Sequence, residues 1–291
     1  MTPLWQTLLS ASHLPAAREI GYALMHSLWQ GAIVAALLSL ALTALRKRSA
    51  STRYVACCIA MVAMLAWPAA TASLRFLHAP PPASDAAIAF APIATAPDSS
   101  APIPSIDLHS TAARGSTVPD LLPFISWFWL AGVVLLSTWN VTGYLRVRRL
   151  GRTASSAPNH LQMTLQLLAR RINLARNIAI RLCDHVAAPA VIGVLRPIVL
   201  VPASALTELS PDHLEALLLH ELAHVKRHDY LVNLLQTAAE TLLFYHPAAW
   251  WISSQIRRER ENCCDDLAAR YCGSAKLYAR ALAAMEEVRG A

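Results

Sequence analysis

Charged side chains are scarce in this sequence. Asp, Glu, Lys and Arg together make up 15% of its 291 residues, whereas apolar residues make up 55%. That balance argues against an ordinary soluble protein and indicates that part of the chain faces lipid. No two of the six cysteines have a C-x-x-C spacing, and adjacent cysteines rarely bridge to each other. The sequence therefore predicts reduced thiols and no disulfide framework.

Negative charge is scarcer than positive charge, with 18 acidic residues against 25 Lys and Arg and a formal net charge of +7. A basic chain can suit nucleic acid, but here the basic residues gather at the ends of apolar runs, which favours a membrane. The lipid bilayer is the expected partner, with no direct contact to nucleic acid.

Three apolar runs are long enough to cross a bilayer, for which a helix needs about 20 residues. They cover residues 21–45, 54–73 and 121–145 approximately. No basic segment precedes the first run, which favours an uncleaved anchor over a removed signal peptide. We therefore predict a membrane domain over residues 1–150 with three transmembrane helices.

The distribution of Lys and Arg predicts the orientation of these helices. Basic residues cluster in the short segment 46–53 and again in 146–152, so both segments are expected to be cytoplasmic and the amino terminus outside. The loop 77–119 is rich in proline and lacks apolar periodicity, so it is predicted to be a disordered outer loop. The expected location is a membrane that the chain crosses several times.

Residues 151–291 show a different pattern, which predicts a cytoplasmic domain of helices with a small β-sheet. Ser210, Pro211 and Asp212 together mark a helix start. Short runs rich in β-branched residues predict strands. The expected fold class is mainly α, with three transmembrane helices and an α+β domain. The predicted elements are helices near 160–175, 247–271 and 275–288, and strands near 178–183, 189–194 and 197–202.

One further stretch, Tyr230–Trp251, is apolar enough to raise the question of a fourth crossing. Polar residues interrupt it, and such residues are costly in a bilayer. We therefore expect a buried or membrane-surface helix instead of a full crossing. The interrupting residues are Asn233, Gln236, Glu240 and His246.

The helix that starts near Ser210 carries the motif H-E-x-x-H, formed by His220, Glu221 and His224. Residues four apart lie on one face of a helix, so both imidazoles can reach a single point. Two neutral nitrogen ligands with a neighbouring carboxylate are typical of a zinc site in which the carboxylate deprotonates the metal-bound water. The sequence predicts His220 and His224 as ligands of Zn²⁺ and Glu221 as the catalytic base.

A third protein ligand is expected, and several residues could supply it. On a straight helix His228 would lie about 12 Å along the axis from His220, and Asp229 would point away from His224. His228 is therefore expected beside the substrate or behind the ligands. A glutamate from the next helix can approach from a second direction, and charge alone leaves both Glu259 and Glu261 open.

Longer segments resemble a known family. HELAHVKRHDYLVNLLQ and LLFYHPAAWWISSQIRRERENCCDD, together with APAVIGVLRPIVLVPASAL and ALMHSLWQGA, are similar to the BlaR/MecR-type antirepressor family of membrane zinc metallopeptidases, over most of residues 18–290. That family resembles gluzincin-type CAAX-processing proteases, whose third ligand opens an E-x-x-x-D pattern. The resemblance implies Glu261 as the third ligand. It also implies that Asp265 accepts the N–H of a ligand histidine.

The resemblance implies a peptidase of the bacterial inner membrane that hydrolyses a cytoplasmic protein such as a transcriptional repressor, or itself. A homodimer is a further partner that the sequence leaves open. The alternatives are a non-catalytic signal transducer that uses the zinc domain as a scaffold and a structural membrane protein with a vestigial site. His228, Tyr245 and His246 are candidates for stabilising the oxyanion. Cys263 and Cys264 are expected to be buried thiols and not ligands.

Better-known members of that family carry a β-lactam-binding sensor domain after the zinc domain. This sequence contains no S-x-x-K acylation motif, so acylation of this chain by β-lactams is not expected. It also shows no apolar run after Val288 that could cross a membrane. We interpret the sequence as a piece of a longer protein, with a signal that arrives by another route as the alternative.

Overall fold

The computed structural model describes residues 15–77, 121–186, 188–193 and 196–290. Apart from Leu77, the predicted outer loop 77–119 lies outside these residues. Most of the described chain is helical, and one small sheet lies in its second half. The fold class expected from the sequence, mainly α with three transmembrane helices and a small sheet, is confirmed.

Three long helices open the fold: α1 (Pro15–Ala44), α2 (Ala50–Leu77) and α3 (Leu122–Thr153). Each contains a stretch that is long and apolar enough to cross a membrane. Their outward faces carry many exposed leucines, valines and aromatic residues, which is the opposite of what water-facing helices show. The three predicted transmembrane helices are therefore confirmed.

Polar contacts hold these three helices together along their length. The Gln30 amide donates to the Thr71 hydroxyl over 3.0 Å and so joins α1 to α2. The Ser126 hydroxyl donates to the carbonyl of Ala17 over 2.5 Å and joins α3 to α1. Hydrogen bonds of this kind satisfy side chains that lipid cannot.

The sheet has four short strands: β1 (Ser155–Ser156), β2 (Ala179–Leu182), β3 (Ala190–Ile192) and β4 (Ile198–Val201). Their order is β1-β2-β4-β3, with β2 and β4 parallel and the other two pairs antiparallel. Strand β3 therefore forms an edge of the sheet. Strands β2, β3 and β4 match the predicted strands, whereas the two-residue β1 was not predicted.

Six further helices complete the described chain. The predicted helices, including the one capped by Ser210, are present, and α5 was not predicted. Gly273 separates the last two helices in a left-handed conformation, with φ of 76°, which suits glycine. The helices are α4 (Asn159–Arg171), α5 (Ala203–Glu208), α6 (Pro211–Arg227), α7 (Asp229–Leu242), α8 (Pro247–Cys272) and α9 (Ala275–Gly290).

The apolar stretch Tyr230–Trp251 is divided between two helices. Helix α7 ends at Leu242 after 14 residues, which is about 21 Å at 1.5 Å per residue and too short to cross the hydrocarbon core of roughly 30 Å. His246 caps the next helix by accepting from the backbone of Ala248 over 3.1 Å. The expectation that this stretch is not a full crossing agrees with the absence of a fourth candidate span in the described residues.

Buried apolar residues form two separate clusters. The first joins the sheet to α4, α6 and α9, with Leu165, Val199 and Leu218 at its centre. The second joins α1 and α2 to α7 and α8, with Met61 and Ile252 among its members. Helix α8 therefore packs on the membrane helices as well as on α6.

Candidate metal centre

Helix α6 presents the H-E-x-x-H residues from a rigid position in the core. The Ser210 hydroxyl caps its first turn by accepting from the backbone N–H of His213 over 3.3 Å. Leu218, Leu219 and Leu222 are buried on one side of the helix. Because that side is fixed in the core, the opposite side turns His220 and His224 towards α8.

The side chains of His220, His224 and Glu261 meet at one point. Nε2 of His220 lies 3.2 Å from Nε2 of His224. The Glu261 Oε2 lies 3.5 Å from the first of these nitrogens and 3.6 Å from the second. The structure therefore brings together the two predicted histidines and the glutamate that the resemblance implied.

The spacing of these three atoms fits a single tetrahedral metal ion. Metal–ligand distances of about 2.0–2.2 Å place two ligands of a tetrahedral zinc roughly 3.3 Å apart. The observed separations of 3.2, 3.5 and 3.6 Å agree with that value. Of the two candidates that charge left open, Glu259 lies elsewhere and pairs with Arg53 over 2.9 Å.

Asp265 and Tyr278 hold the outer nitrogen of His220. Nδ1 of His220 lies 3.1 Å from Oδ1 of Asp265 and 2.8 Å from the Tyr278 hydroxyl. That hydroxyl also donates to Asp265 over 2.6 Å. Burial alone would lower the pKa of His220, but Asp265 and Glu261 outweigh it and raise the pKa to about 9. The same contacts leave Nε2 of His220 free for a metal.

Asp229 holds the outer nitrogen of His224, contrary to the expectation that it would point away. Its Oδ2 lies 2.8 Å from Nδ1 of His224. That expectation assumed one continuous helix, whereas α6 ends at Arg227 and His228 takes a left-handed conformation with φ of 58°. The break turns the first residue of α7 back towards the preceding turn.

His228 itself does not join the cluster. Its side chain is exposed, and its ring lies 5.9 Å from the ring of Tyr230. None of the hydrogen bonds found among the described residues links it to His220, His224 or Glu261. The structure thus shows His228 as the hinge between two helices, and a role beside the substrate stays a prediction.

The pKa values of the Glu261 and Asp265 carboxyl groups are both lowered, which suits a nearby cation. Hydrogen bonds from His220 and His224 hold the pKa of Glu261 well below its usual range. Burial would raise the pKa of Asp265, but His220 and Tyr278 more than offset it and lower that pKa. Both carboxylates therefore stay ionised, and a divalent cation could take over the positive charge that the imidazoles now supply.

Glu221 lies between the cluster and the sheet. Burial raises the pKa of its carboxyl to about 7, although the nearby histidines act in the opposite direction. The backbone of Val191 in the edge strand β3 also acts to lower this pKa. A carboxylate with a pKa near neutrality can both take and return a proton.

A second group of metal-binding side chains shares His224 and consists of His224, Asp229 and Cys264. The Cys264 sulfur lies 3.3 Å from Nδ1 of His224 and 3.4 Å from Oδ2 of Asp229. Cys264 is fully buried, and burial raises the pKa of its thiol to about 11. Because Nδ1 of His224 contacts Asp229 and Cys264 while its Nε2 faces His220 and Glu261, this group fits a hydrogen-bond network that orients the imidazole.

The remaining candidates for the oxyanion lie far from the cluster. Tyr245 and His246 precede the first turn of α8, fifteen residues or more before Glu261, which is about 22 Å along the helix. The Tyr245 hydroxyl instead lies 2.7 Å from the Ser27 hydroxyl in α1. The interpretation of these two residues as oxyanion groups is therefore wrong.

Comparison with known proteins agrees with this geometry. Residues 22–291 match the family described as BlaR1 peptidase M56. Regulatory protein BlaR1 of Bacillus licheniformis is 24% identical over 138 residues, which are 47% of this chain and 23% of that protein. The methicillin resistance mecR1 proteins of Staphylococcus aureus and Staphylococcus epidermidis are each 21% identical over 138 residues, with the same two shares.

The aligned region thus spans about a quarter of the length of these relatives. The family match, in contrast, covers nearly all of the present sequence, from the first membrane helix to the last helix of the fold. The chain is a membrane protein, and it belongs to the BlaR1 peptidase M56 family.

Proposed function

We propose that this chain is a membrane-embedded zinc metalloendopeptidase that acts in signal transduction and hydrolyses a cytoplasmic protein, either a transcriptional repressor or the chain itself. One observation carries the proposal. Nε2 of His220, Nε2 of His224 and Oε2 of Glu261 lie within 3.6 Å of one another, and the carboxylate of Glu221 lies beside them.

His220, His224 and Glu261 would hold the metal through these three atoms. A bound Zn²⁺ would supply polarisation of the scissile carbonyl and acidification of a water molecule. Glu221 would act as the general base and acid, taking a proton from the attacking water and giving it to the leaving amine. A pKa raised to about 7 by burial suits both transfers. Asp229 and Asp265 keep the two imidazoles oriented with Nε2 towards the metal.

The edge of the sheet supports a peptide as the substrate. Strand β3 pairs with β4 on one side and forms an edge of the sheet, and the Glu221 carboxylate lies near the backbone of Val191 in this strand. An extended segment of a substrate could add to this edge as a further strand, which would bring its backbone carbonyls to the metal.

The cytoplasmic, regulatory role is supported by charge and by the relatives. The basic segments at the ends of α1 and α3 favour a cytoplasmic location for those ends by the positive-inside rule. The relatives are named as a regulatory protein and as methicillin resistance proteins. We place the chain in the bacterial inner membrane, with the metal centre on the cytoplasmic side.

The test compares cells that express wild-type protein with cells that express Glu221→Gln, which removes the base and keeps the shape of the side chain. New protein amino termini, in this chain and in cytoplasmic proteins, are labelled chemically and identified by mass spectrometry. We expect a set of termini that is present for wild type and is reduced roughly 10²- to 10⁴-fold for the variant. Identical sets at equal abundance of the two proteins would contradict peptidase activity.

Substitutions of the two residues that contact Nδ1 of His220 are expected to have smaller effects, on Zn²⁺ affinity. Because Asp265 and Tyr278 orient its imidazole, Asp265→Asn is expected to weaken Zn²⁺ affinity about 10- to 100-fold, and Tyr278→Phe is expected to weaken it less, since Asp265 remains. Competition with a zinc-binding dye measures the affinity. Asp266→Asn, one residue further along the same helix, is the matched control and should bind zinc as wild type does.

A further inference from the structure

We propose that a helical hairpin of this chain enters the bilayer to about its middle and turns back, with its exposed face against lipid acyl chains. The hairpin consists of α7, the turn 243–246 and the first half of α8, up to residue 258. It is neither a full crossing nor a surface helix. The inference does not depend on peptidase activity.

The tip of the hairpin contacts the first membrane helix near the middle of that helix. The Tyr245 hydroxyl lies 2.7 Å from the Ser27 hydroxyl, and Nε2 of His246 lies 3.1 Å from the Ser27 carbonyl oxygen. Gly31 permits this approach, because a Cβ added there would collide with the His246 imidazole. Both Ser27 and His246 are buried.

The tip also contacts the third membrane helix. The indole N–H of Trp129 donates to the carbonyl oxygen of Leu242 over 2.8 Å. Gly132 lies so close to Phe244 that a Cβ would collide with the ring. The last carbonyl of α7 is therefore satisfied by a membrane helix, as backbone groups within hydrocarbon must be.

The base of the hairpin lies at the basic ends of the same helices. Glu259, just beyond the hairpin in α8, accepts from Nε of Arg53 over 2.9 Å, and Arg53 lies in the first turn of α2. From Glu259 back to His246 is thirteen residues of helix, or about 20 Å. From Gly31 to the end of α1 at Ala44 is also thirteen residues.

The length of α3 between the tip of the hairpin and the basic end gives the same depth for the tip. From Gly132 to the basic residue Arg146 is fourteen residues, or about 21 Å. Three separate helices thus place the tip about 20 Å from the basic ends of the membrane helices. A hydrocarbon core is about 30 Å thick, so the tip lies well inside it and does not reach the far side.

The surface of the hairpin is apolar outside and polar inside, which is the arrangement expected in lipid. The outward residues of α7 follow helical spacing, and Trp250 continues this surface on α8. Leu234 has 63% of its surface exposed. Gln236, in contrast, is buried, donates to Ser253 and accepts from Arg260. The exposed apolar residues are Leu231, Leu234, Leu235, Leu242 and Trp250.

The Glu240 carboxylate on the hairpin is paired within the protein, as expected for a charged group in lipid. The Glu240 carboxylate accepts from Nη1 of Arg257 over 2.5 Å and from the hydroxyl of Ser253. An ionised group within a membrane is expected to be paired in this way. Asn233, an exposed amide, lies in the first two turns of α7 and so near the basic ends. Lipid is the occupant that fits, since the hairpin packs on α1 and α3, whose own outward faces carry exposed apolar residues.

The test uses the full chain in phosphatidylcholine vesicles that contain a phospholipid with a photoactivated diazirine in its acyl chain. One probe carries the diazirine at the end of the chain, and a second carries it near the carbonyl. After illumination, mass spectrometry locates the labelled residues. We expect Leu242 and Phe244 to react mainly with the deep probe and Leu231 mainly with the shallow one.

Two internal controls make the result decisive. Leu40 and Leu135 in α1 and α3 are 69% and 70% exposed and should be labelled, whereas Leu167 in α4 is 66% exposed and should not be. Labelling of α1 and α3 without labelling of residues 231–250 would overturn the proposal. That outcome would mean that a second copy or another protein covers this face. Labelling of Leu167 at the level of Leu234 would also overturn it, because exposure alone would then account for the reaction.

Discussion

The double substitution His220→Ala, His224→Ala is expected to reduce bound zinc from about one ion per chain to a small fraction of that. Both Nε2 atoms point at the same position, 3.2 Å apart, and Glu261 alone offers a single carboxylate, which binds Zn²⁺ weakly. Metal analysis of protein purified from membranes in mild detergent measures the effect.

The matched control replaces two exposed histidines outside the site, His160 and His185. It removes the same number of imidazoles and should leave zinc content unchanged. A fall in zinc for the control as large as for the site variant would assign the metal to surface histidines. Full zinc content in the site variant would refute the proposed ligands.

Breaking the ion pair between Arg53 and Glu259 is expected to lower the free energy of unfolding substantially. Arg53→Met leaves Glu259, which is 7% exposed, without its charged partner, although Asn262 still donates to it over 3.2 Å. Loss of one partner of a buried pair costs about 3–5 kcal/mol; the partial exposure of Arg53 and the bond to Asn262 place the expected loss near 3 kcal/mol. Thermal unfolding in detergent measures it.

The more exposed pair between Arg75 and Glu19, whose Nε and Oε2 atoms lie 2.8 Å apart, is the matched control. Arg75→Met should cost less than about 1 kcal/mol, because water screens that pair. The double variant Arg53→Met, Glu259→Gln should regain part of the lost stability, since no charge is then left buried. Equal losses for Arg53→Met and Arg75→Met would show that the link between α2 and the helix carrying Glu261 contributes little.

The long-range partners of the site could not be predicted from the sequence. The two histidines and Glu221 follow from helical spacing, because all three lie on one short, well-capped helix. Asp229 was misplaced because nothing in HVKRHD shows that His228 adopts φ of 58° and ends the helix. Tyr278 was missed because it reaches His220 from a helix 58 residues away in sequence.

Glu261 illustrates the limit of reasoning from charge. Glu259 and Glu261 differ by two residues, which is about 200° around a helix, so they face opposite sides. Only the packing of α8 between α2 and α6 determines which of them faces the histidines. The hairpin formed by α7 and α8 depends on the same packing, and its apolar residues alone did not distinguish a crossing helix from a buried one.

The most direct measurement of the proposed zinc site is X-ray absorption of the zinc-loaded protein. Coordination by His220, His224 and Glu261 predicts nitrogen and oxygen ligands at about 2.0–2.2 Å, with scattering from two imidazoles and no sulfur. A sulfur shell at about 2.3 Å would contradict it. That result would assign the metal to the group that contains Cys264 and not to His220, His224 and Glu261.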